Sequence, residues 1–150
     1  MTVGITPVDD ELFREIILDH YRNPRHRGEV APADGTLEAD NPLCGDEIRL
    51  SWRIEGDRVA DIAYTGRGCS ISQAAASMLL DEVAGLPCSE ACGLARRFRE
   101  MLVGNGDAEG LGDLEALQGV RAYPVRIKCA TLACNGILRA LGAAEEGDAA

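Results

Sequence analysis

Glu47-Ile48-Arg49-Leu50-Ser51-Trp52-Arg53-Ile54, followed by Glu55-Gly56-Asp57 and then by Arg58-Val59-Ala60-Asp61-Ile62-Ala63-Tyr64, is the stretch that decides the fold class. Ile48, Leu50, Trp52 and Ile54 alternate with Glu47, Arg49, Ser51 and Arg53. That period of two predicts a strand with one buried face. Glu55-Gly56-Asp57 then turns the chain, and Ala60, Ile62 and Tyr64 continue the alternation on a second strand. Thr36 to Asp40 supplies a shorter third one. The result is a small antiparallel meander.

Helical periodicity fills the rest. From Asp9 or Asp10 as N-cap, Leu12, Phe13, Ile16, Ile17 and Tyr21 recur at helical spacing until Asn23-Pro24 stops them. Ile71, Ala74, Ala75, Met78, Leu79 and Val83 mark a second helix, closed by Gly85 and Pro87. A third runs from Ser89 to about Val103 and ends at Gly104-Asn105-Gly106. Residues 104–113 read as an exposed loop, and Leu114 to Val120 as a short apolar turn. A final helix starts at Pro124 and runs to about Leu141, with Ile127, Ala130, Cys134, Ile137, Leu138 and Leu141 on one stripe. The class is therefore α+β, a three-stranded antiparallel sheet with helices packed on it. One domain is expected over 1–150, with a flexible N-terminus at 1–8 and an acidic C-terminal tail at 143–150.

A 150-residue chain with 46% hydrophobic residues has enough apolar surface for a core without cross-links. Its formal charge of −10 repels nucleic acid and anionic membranes, and favours a protein partner. No stretch has the length of a membrane span, and Met1 to Asp10 lacks the features of a signal peptide. The expected location is the cytoplasm. In that reducing compartment six cysteines point to metal binding or sulfur chemistry before disulfides.

Cys44, Cys69 and Cys129 lie 25 and then 60 positions apart, so an ordinary zinc finger with close cysteine pairs is excluded. A site built from them must be assembled by the fold. Cys44 in Asn41-Pro42-Leu43-Cys44-Gly45-Asp46 and Cys69 in Gly66-Arg67-Gly68-Cys69 sit beside glycines, which allow turns and close approach at a crowded centre. Asp46 follows Cys44 by two, and on an extended segment both side chains point the same way. Cys69 falls where a strand gives way to a helix, and the amides and dipole of a helix N-terminus favour negative charge there. About 100° per residue puts Arg126 roughly 60° from Cys129 and Cys134 about 140° away from it. Cys134 is then a small core residue, and Cys88 and Cys92 lie on the side of Ala95 and Phe98 as structural residues, with a secondary metal or redox pair as the alternative. Arg67, Arg126 and Lys128 are the cations available to offset clustered thiolates, Arg126 being the best placed. His20 and His26, the two histidines, are too few for a histidine-rich zinc site. Arg22, Arg25, His26 and Arg27 form a basic loop that reads as either solvated or a docking surface.

Four separated motifs resemble one family when taken in order. They are Ile17-Leu18-Asp19-His20-Tyr21-Arg22-Asn23-Pro24, the Asn41 to Asp46 loop, Gly66-Arg67-Gly68-Cys69-Ser70-Ile71-Ser72, and Arg126-Ile127-Lys128-Cys129-Ala130-Thr131-Leu132. Together they resemble the IscU/NifU-like iron–sulfur assembly proteins over nearly the whole chain. Within that superfamily the chain is similar to the SufU branch. The segment between Cys69 and Cys129 has room for an inserted helix, and Lys128 stands where the scaffold branch carries a histidine. Cys134 departs from the aromatic residue usual in that branch. The resemblance implies a zinc protein that accepts persulfide sulfur from a pyridoxal-phosphate (PLP)-dependent cysteine desulfurase of the SufS type. It would pass that sulfur toward a downstream iron–sulfur assembly scaffold. It also implies Cys44, Asp46, Cys69 and Cys129 as ligands, Cys44 as sulfur acceptor, and Arg126 as an assisting base-charged side chain. The alternative is an IscU-type scaffold, on which the same residues would hold a transient [2Fe–2S] cluster. A zinc-stabilised interaction module without sulfur chemistry is a third reading.

Overall fold

The alternating stretch forms the middle of the sheet. A computed structural model describes residues 7–42, 45–104 and 109–149, with the side chains of 11–142 within those spans. Strands β1 (Gly35–Asn41), β2 (Asp46–Glu55) and β3 (Arg58–Arg67) lie in sheet order β1-β2-β3, and both neighbours run antiparallel to β2. Ile48 and Leu50 are buried on the inner face. Ser51, on the polar face, is buried as well, because its hydroxyl accepts the Val30 amide at 2.9 Å. The second hairpin departs from simple alternation. Arg53 pairs with Asp61 and Ile54 with Val59, so Ala60 is the extra residue of a β-bulge. Val59 therefore enters the core, and Ala60, expected inward, is exposed.

In chain order the helices are α1 (Pro7–Arg22), α2 (Ser70–Val83), α3 (Cys88–Leu102), a 3-10 segment (Gly112–Ala122), α4 (Pro124–Ala130) and α5 (Leu132–Ala149). None is long and apolar enough to cross a membrane. α1 starts two residues before the expected cap, with Pro7 supplying a φ already suited to a first turn. The expected flexible N-terminus lies outside the described residues for 1–6. α2 is the hub. Every residue from Ser72 to Leu80 is buried, and the helix packs against β3, α1, α3, the 3-10 segment, α4 and α5. Ala74, Ala75 and Ala76 keep it narrow enough for neighbours on all sides.

Two expectations about the second half are corrected. Leu111, assigned to an exposed loop, is fully buried, and the short apolar turn is an eleven-residue 3-10 segment that buries Leu114, Ala116, Leu117 and Val120. The single final helix is two, because Thr131 has φ −89° and ψ −2° and turns its hydroxyl to the Lys128 carbonyl at 3.4 Å. Such local bonding from a β-branched threonine competes with helix continuation.

His20 is the residue of α1 that is most deeply buried among the described ones, at 1% exposure. Its Nδ1 meets Ser77 Oγ at 2.8 Å and its Nε2 meets Asp113 Oδ2 at 2.9 Å, so it ties α1 to α2 and to the 3-10 segment. Ser77 Oγ also accepts the Arg25 amide at 2.8 Å. The basic loop is bonded into the chain: Arg25 pairs with Asp19 at 2.7 Å, His26 with Asp81 at 3.1 Å, and Arg27 reaches the Gly66 carbonyl at 3.2 Å. The Arg25 contact holds the Asp19 carboxyl below its usual pKa.

Ser77→Ala leaves the buried His20 ring and the Arg25 amide short of a partner. The expected loss is about 1–3 kcal/mol of unfolding free energy. Chemical denaturation should show it as a lower midpoint with an unchanged slope.

Candidate metal centre

The ends of β2 and β3 and the start of α2 meet at one corner. Asp46 opens β2 and is fully buried. Cys69 caps α2: its Sγ accepts the Ser72 amide at 3.5 Å, and its own amide donates to Asp46 Oδ1 at 2.9 Å. The carboxylate is thus bound by one oxygen to the helix terminus. Its other oxygen, Oδ2, is buried without a hydrogen-bond partner. An orphaned carboxylate oxygen is costly to bury unless a cation takes it. Gly68 makes room for this arrangement, since a Cβ there would overlap Asp46 Oδ1 and crowd Ser72 Oγ.

Cys129 arrives from α4, fully buried. Donor atoms of Asp46, Cys69 and Cys129 all lie within 4.8 Å of one another. A tetrahedral zinc with Zn–S near 2.3 Å needs donors roughly 3.5–3.8 Å apart, a spacing that falls inside that bound. Two sulfurs and an unpartnered carboxylate oxygen are a suitable donor set for zinc. The remaining expected ligand, Cys44, lies outside the described residues. Its flanks are described: the Gly45 amide bonds the Asn41 carbonyl at 2.8 Å, and Gly45 has φ 74°. The chain turns there in the left-handed region, so the extended-segment alternation used to align Cys44 with Asp46 does not hold through Gly45.

Arg126 is the cation at the site. The charge of Cys69, and then hydrogen bonding to it and to Cys129, raises the pKa of this guanidinium above its ordinary value. Arg67 is elsewhere, bound through Nε at 2.9 Å and Nη2 at 2.7 Å to Glu47, and Lys128 is exposed. The remaining cysteines stand in the core. Cys134 donates to the Ala95 carbonyl at 2.9 Å, and burial pushes its thiol up to about 12. Cys88 and Cys92 are buried among the apolar residues, as their spacing implied. The sequence reading passed over Asn41, which is buried with its Nδ2 4.0 Å from Cys129 Sγ. Its polarity beside a proline reads as a turn, and no pattern in the sequence ties it to a residue 88 positions away.

Comparison with known proteins gives the family of the chain. Residues 12–130 match the family described as NifU-like N terminal domain. A zinc-dependent sulfurtransferase SufU from Bacillus subtilis is 42% identical over 141 residues, covering 93% of this chain and 95% of its own. An iron–sulfur cluster assembly scaffold protein IscU from Streptococcus pyogenes is 40% identical, covering 88% and 84%. Among solved structures, a candidate SUF-system scaffold protein from Fervidobacterium islandicum AW-1 superposes with TM-score 0.81 at 30% identity, covering 85% of this chain and 94% of that one.

Gly68→Ala should displace the Asp46 carboxylate and weaken zinc binding by about 10–100-fold, the usual effect of disturbing the groups that orient a ligand. Chelator competition measures it. Gly56→Ala, at a turn with open space around it, is the control and should leave zinc binding intact. On alkylation of the folded, metal-stripped protein at neutral pH, mass mapping should show modified Cys69 well before Cys134.

Proposed function

As the chain belongs to the NifU-like N-terminal domain family, we propose that it is a zinc-dependent sulfurtransferase accepting persulfide sulfur for iron–sulfur cluster assembly. The donor we propose is a PLP-dependent cysteine desulfurase of the SufS type. The observation that carries the zinc reading is the buried, partnerless Asp46 Oδ2 beside two cysteine sulfurs. Likeness to a sulfurtransferase named as zinc-dependent, over nearly all of both chains, supports the activity.

Asp46, Cys69 and Cys129, with Cys44 from the neighbouring loop, would hold the metal. Bound zinc keeps cysteine sulfurs in the thiolate form at neutral pH. Cys44 is proposed as the acceptor because its loop lies at the sheet end, whereas Cys129 is buried and Cys69 is tied into a helix cap. The transfer is thiol exchange. The Cys44 thiolate attacks the outer sulfur of the desulfurase persulfide, a new S–S bond forms on Cys44, and the S–S bond of the donor breaks. The desulfurase cysteine leaves as a thiolate, and the persulfide proton moves with the transferred sulfur. Arg126 stays charged throughout and offsets the anionic sulfurs that an incoming persulfide approaches. Asp46 is held through Oδ1 by the Cys69 amide, which leaves Oδ2 free of hydrogen bonds and open to a cation. We place the protein in the cytoplasm, with a downstream iron–sulfur scaffold as recipient.

A scaffold role is the second reading, favoured by the likeness to a protein named IscU. Lys128 tells against it, since an ammonium stands where the scaffold branch supplies another ligand.

With a partner desulfurase and free cysteine, zinc-loaded wild type should raise alanine production several-fold and gain the mass of one sulfur at Cys44. Cys44→Ala should lose both, with zinc counted in each sample. Arg126→Ala should keep zinc and lower the transfer rate by about tenfold or more, as loss of a charge-stabilising group does. Cluster assembly on added iron without stimulation of the desulfurase would establish the scaffold instead.

A further inference from the structure

Asn41 is the last residue of β1 and stands directly across from Asp46 in the sheet register. It is 7% exposed, so its carboxamide has been taken out of water beside the donor cluster. Two of its groups face different parts of the site. Its carbonyl accepts the Gly45 amide at 2.8 Å and closes the turn that contains Cys44. Its Nδ2 donates toward Cys129 Sγ at 4.0 Å, a long contact within the reach of a sulfur acceptor.

We propose that Asn41 is a positioning residue for the sulfur site: it ties the Cys44 turn to Cys129 and, by its N–H···S contact, weakens Cys129 as an electron donor. The proposal rests on the metal-centre reading above and adds to it a division of labour among the cysteines. An N–H donor withdraws density from a thiolate and tunes its metal, as second-layer partners do generally. Cys129 receives that donor and is fully buried, so its sulfur is both less nucleophilic and screened from an incoming persulfide. The exchange role then falls to another cysteine of the set. A cross-strand neighbour of Asp46 suits this role, because the same β1–β2 pairing that sets Asp46 also sets Asn41.

The test uses cobalt(II) in place of zinc in the whole chain, comparing wild type with Asn41→Leu and Asn41→Ser. Leucine keeps the branched shape with more bulk and loses the donor, while serine is small and polar and too short to reach the sulfur. Both variants should bind cobalt through thiolates, and in both the sulfur-to-cobalt charge-transfer band should move to lower energy. Thermal melting reports the fold of each variant, and a residue with a merely structural role would change the melting temperature without moving the band. Superimposable bands in a folded variant overturn the proposal. If wild type itself shows no thiolate–cobalt band, the metal-centre reading fails and this proposal falls with it.

Discussion

The hydrogen bond from the Cys69 amide to Asp46 Oδ1 is the constraint on which the site depends. It joins the first residue of β2 to the cap of α2, which are 23 positions apart and separated by the whole second hairpin. Tying one carboxylate oxygen leaves the other buried without a hydrogen-bond partner, in a carboxylate that lies within 4.8 Å of two sulfurs. The chain at the end of β3 and just beyond it lacks side chains at the points of closest approach, and that leaves room for the bond. At Gly66 a Cβ would run into the Glu47 carbonyl, and at Gly68 into the carboxylate itself. The glycines beside Cys69 are therefore part of the donor geometry, and not merely breaks between elements.

α2 carries that corner into the rest of the protein. A helix buried on all sides cannot shift without disturbing every neighbour, so the N-terminus that holds Cys69 is fixed by the whole core. The opposite wall is fixed by polar bonds. His20 links α1, α2 and the 3-10 segment, and the 3-10 segment leads through Tyr123 into α4, which brings Arg126 and Cys129. The break at Thr131 then lets α4 and α5 take separate directions. α5 covers the sheet, where Gly136 allows close approach to Leu50, while α4 turns Cys129 toward Asp46.

Much of this was legible in the sequence because it follows a period. Alternation from Ile48 to Ile54 gave the central strand, and a glycine-flanked cysteine between strand and helix gave the α2 cap. Three of the corrections share a cause, a local departure from a period. The bulge at Ala60 changes the strand's phase by one residue, which no alternation count reveals from one side alone. Gly45 reverses the chain where an extended segment was assumed, and Thr131 interrupts a helix whose apolar stripe continues on both sides of the break. His20 was recoverable. Phe13, Ile16, Ile17 and His20 follow helical spacing, so the inner face of α1 runs through the histidine instead of outward to Leu12 and Tyr21, which are exposed. The Asn41 contact was not, since it depends on where β1 ends relative to α4.

Chemically identical thiols acquire distinct behaviour through such placements. Cys134 donates to a backbone carbonyl inside the core, and its raised pKa keeps it protonated. Its thiol is therefore no competitor for a metal or a persulfide at neutral pH, since the thiolate is the reactive form. Cys69 sits half-exposed at a helix N-terminus, where an amide and an arginine face its sulfur. Cys129 is as buried as Cys134, yet its surroundings are a carboxylate, a carboxamide and a guanidinium instead of apolar side chains. Burial alone therefore does not separate a candidate ligand from a core residue here. What separates them is whether the enclosed space also holds charges that a metal ion would balance, and the partnerless oxygen of Asp46 marks the one enclosure among the described residues that does.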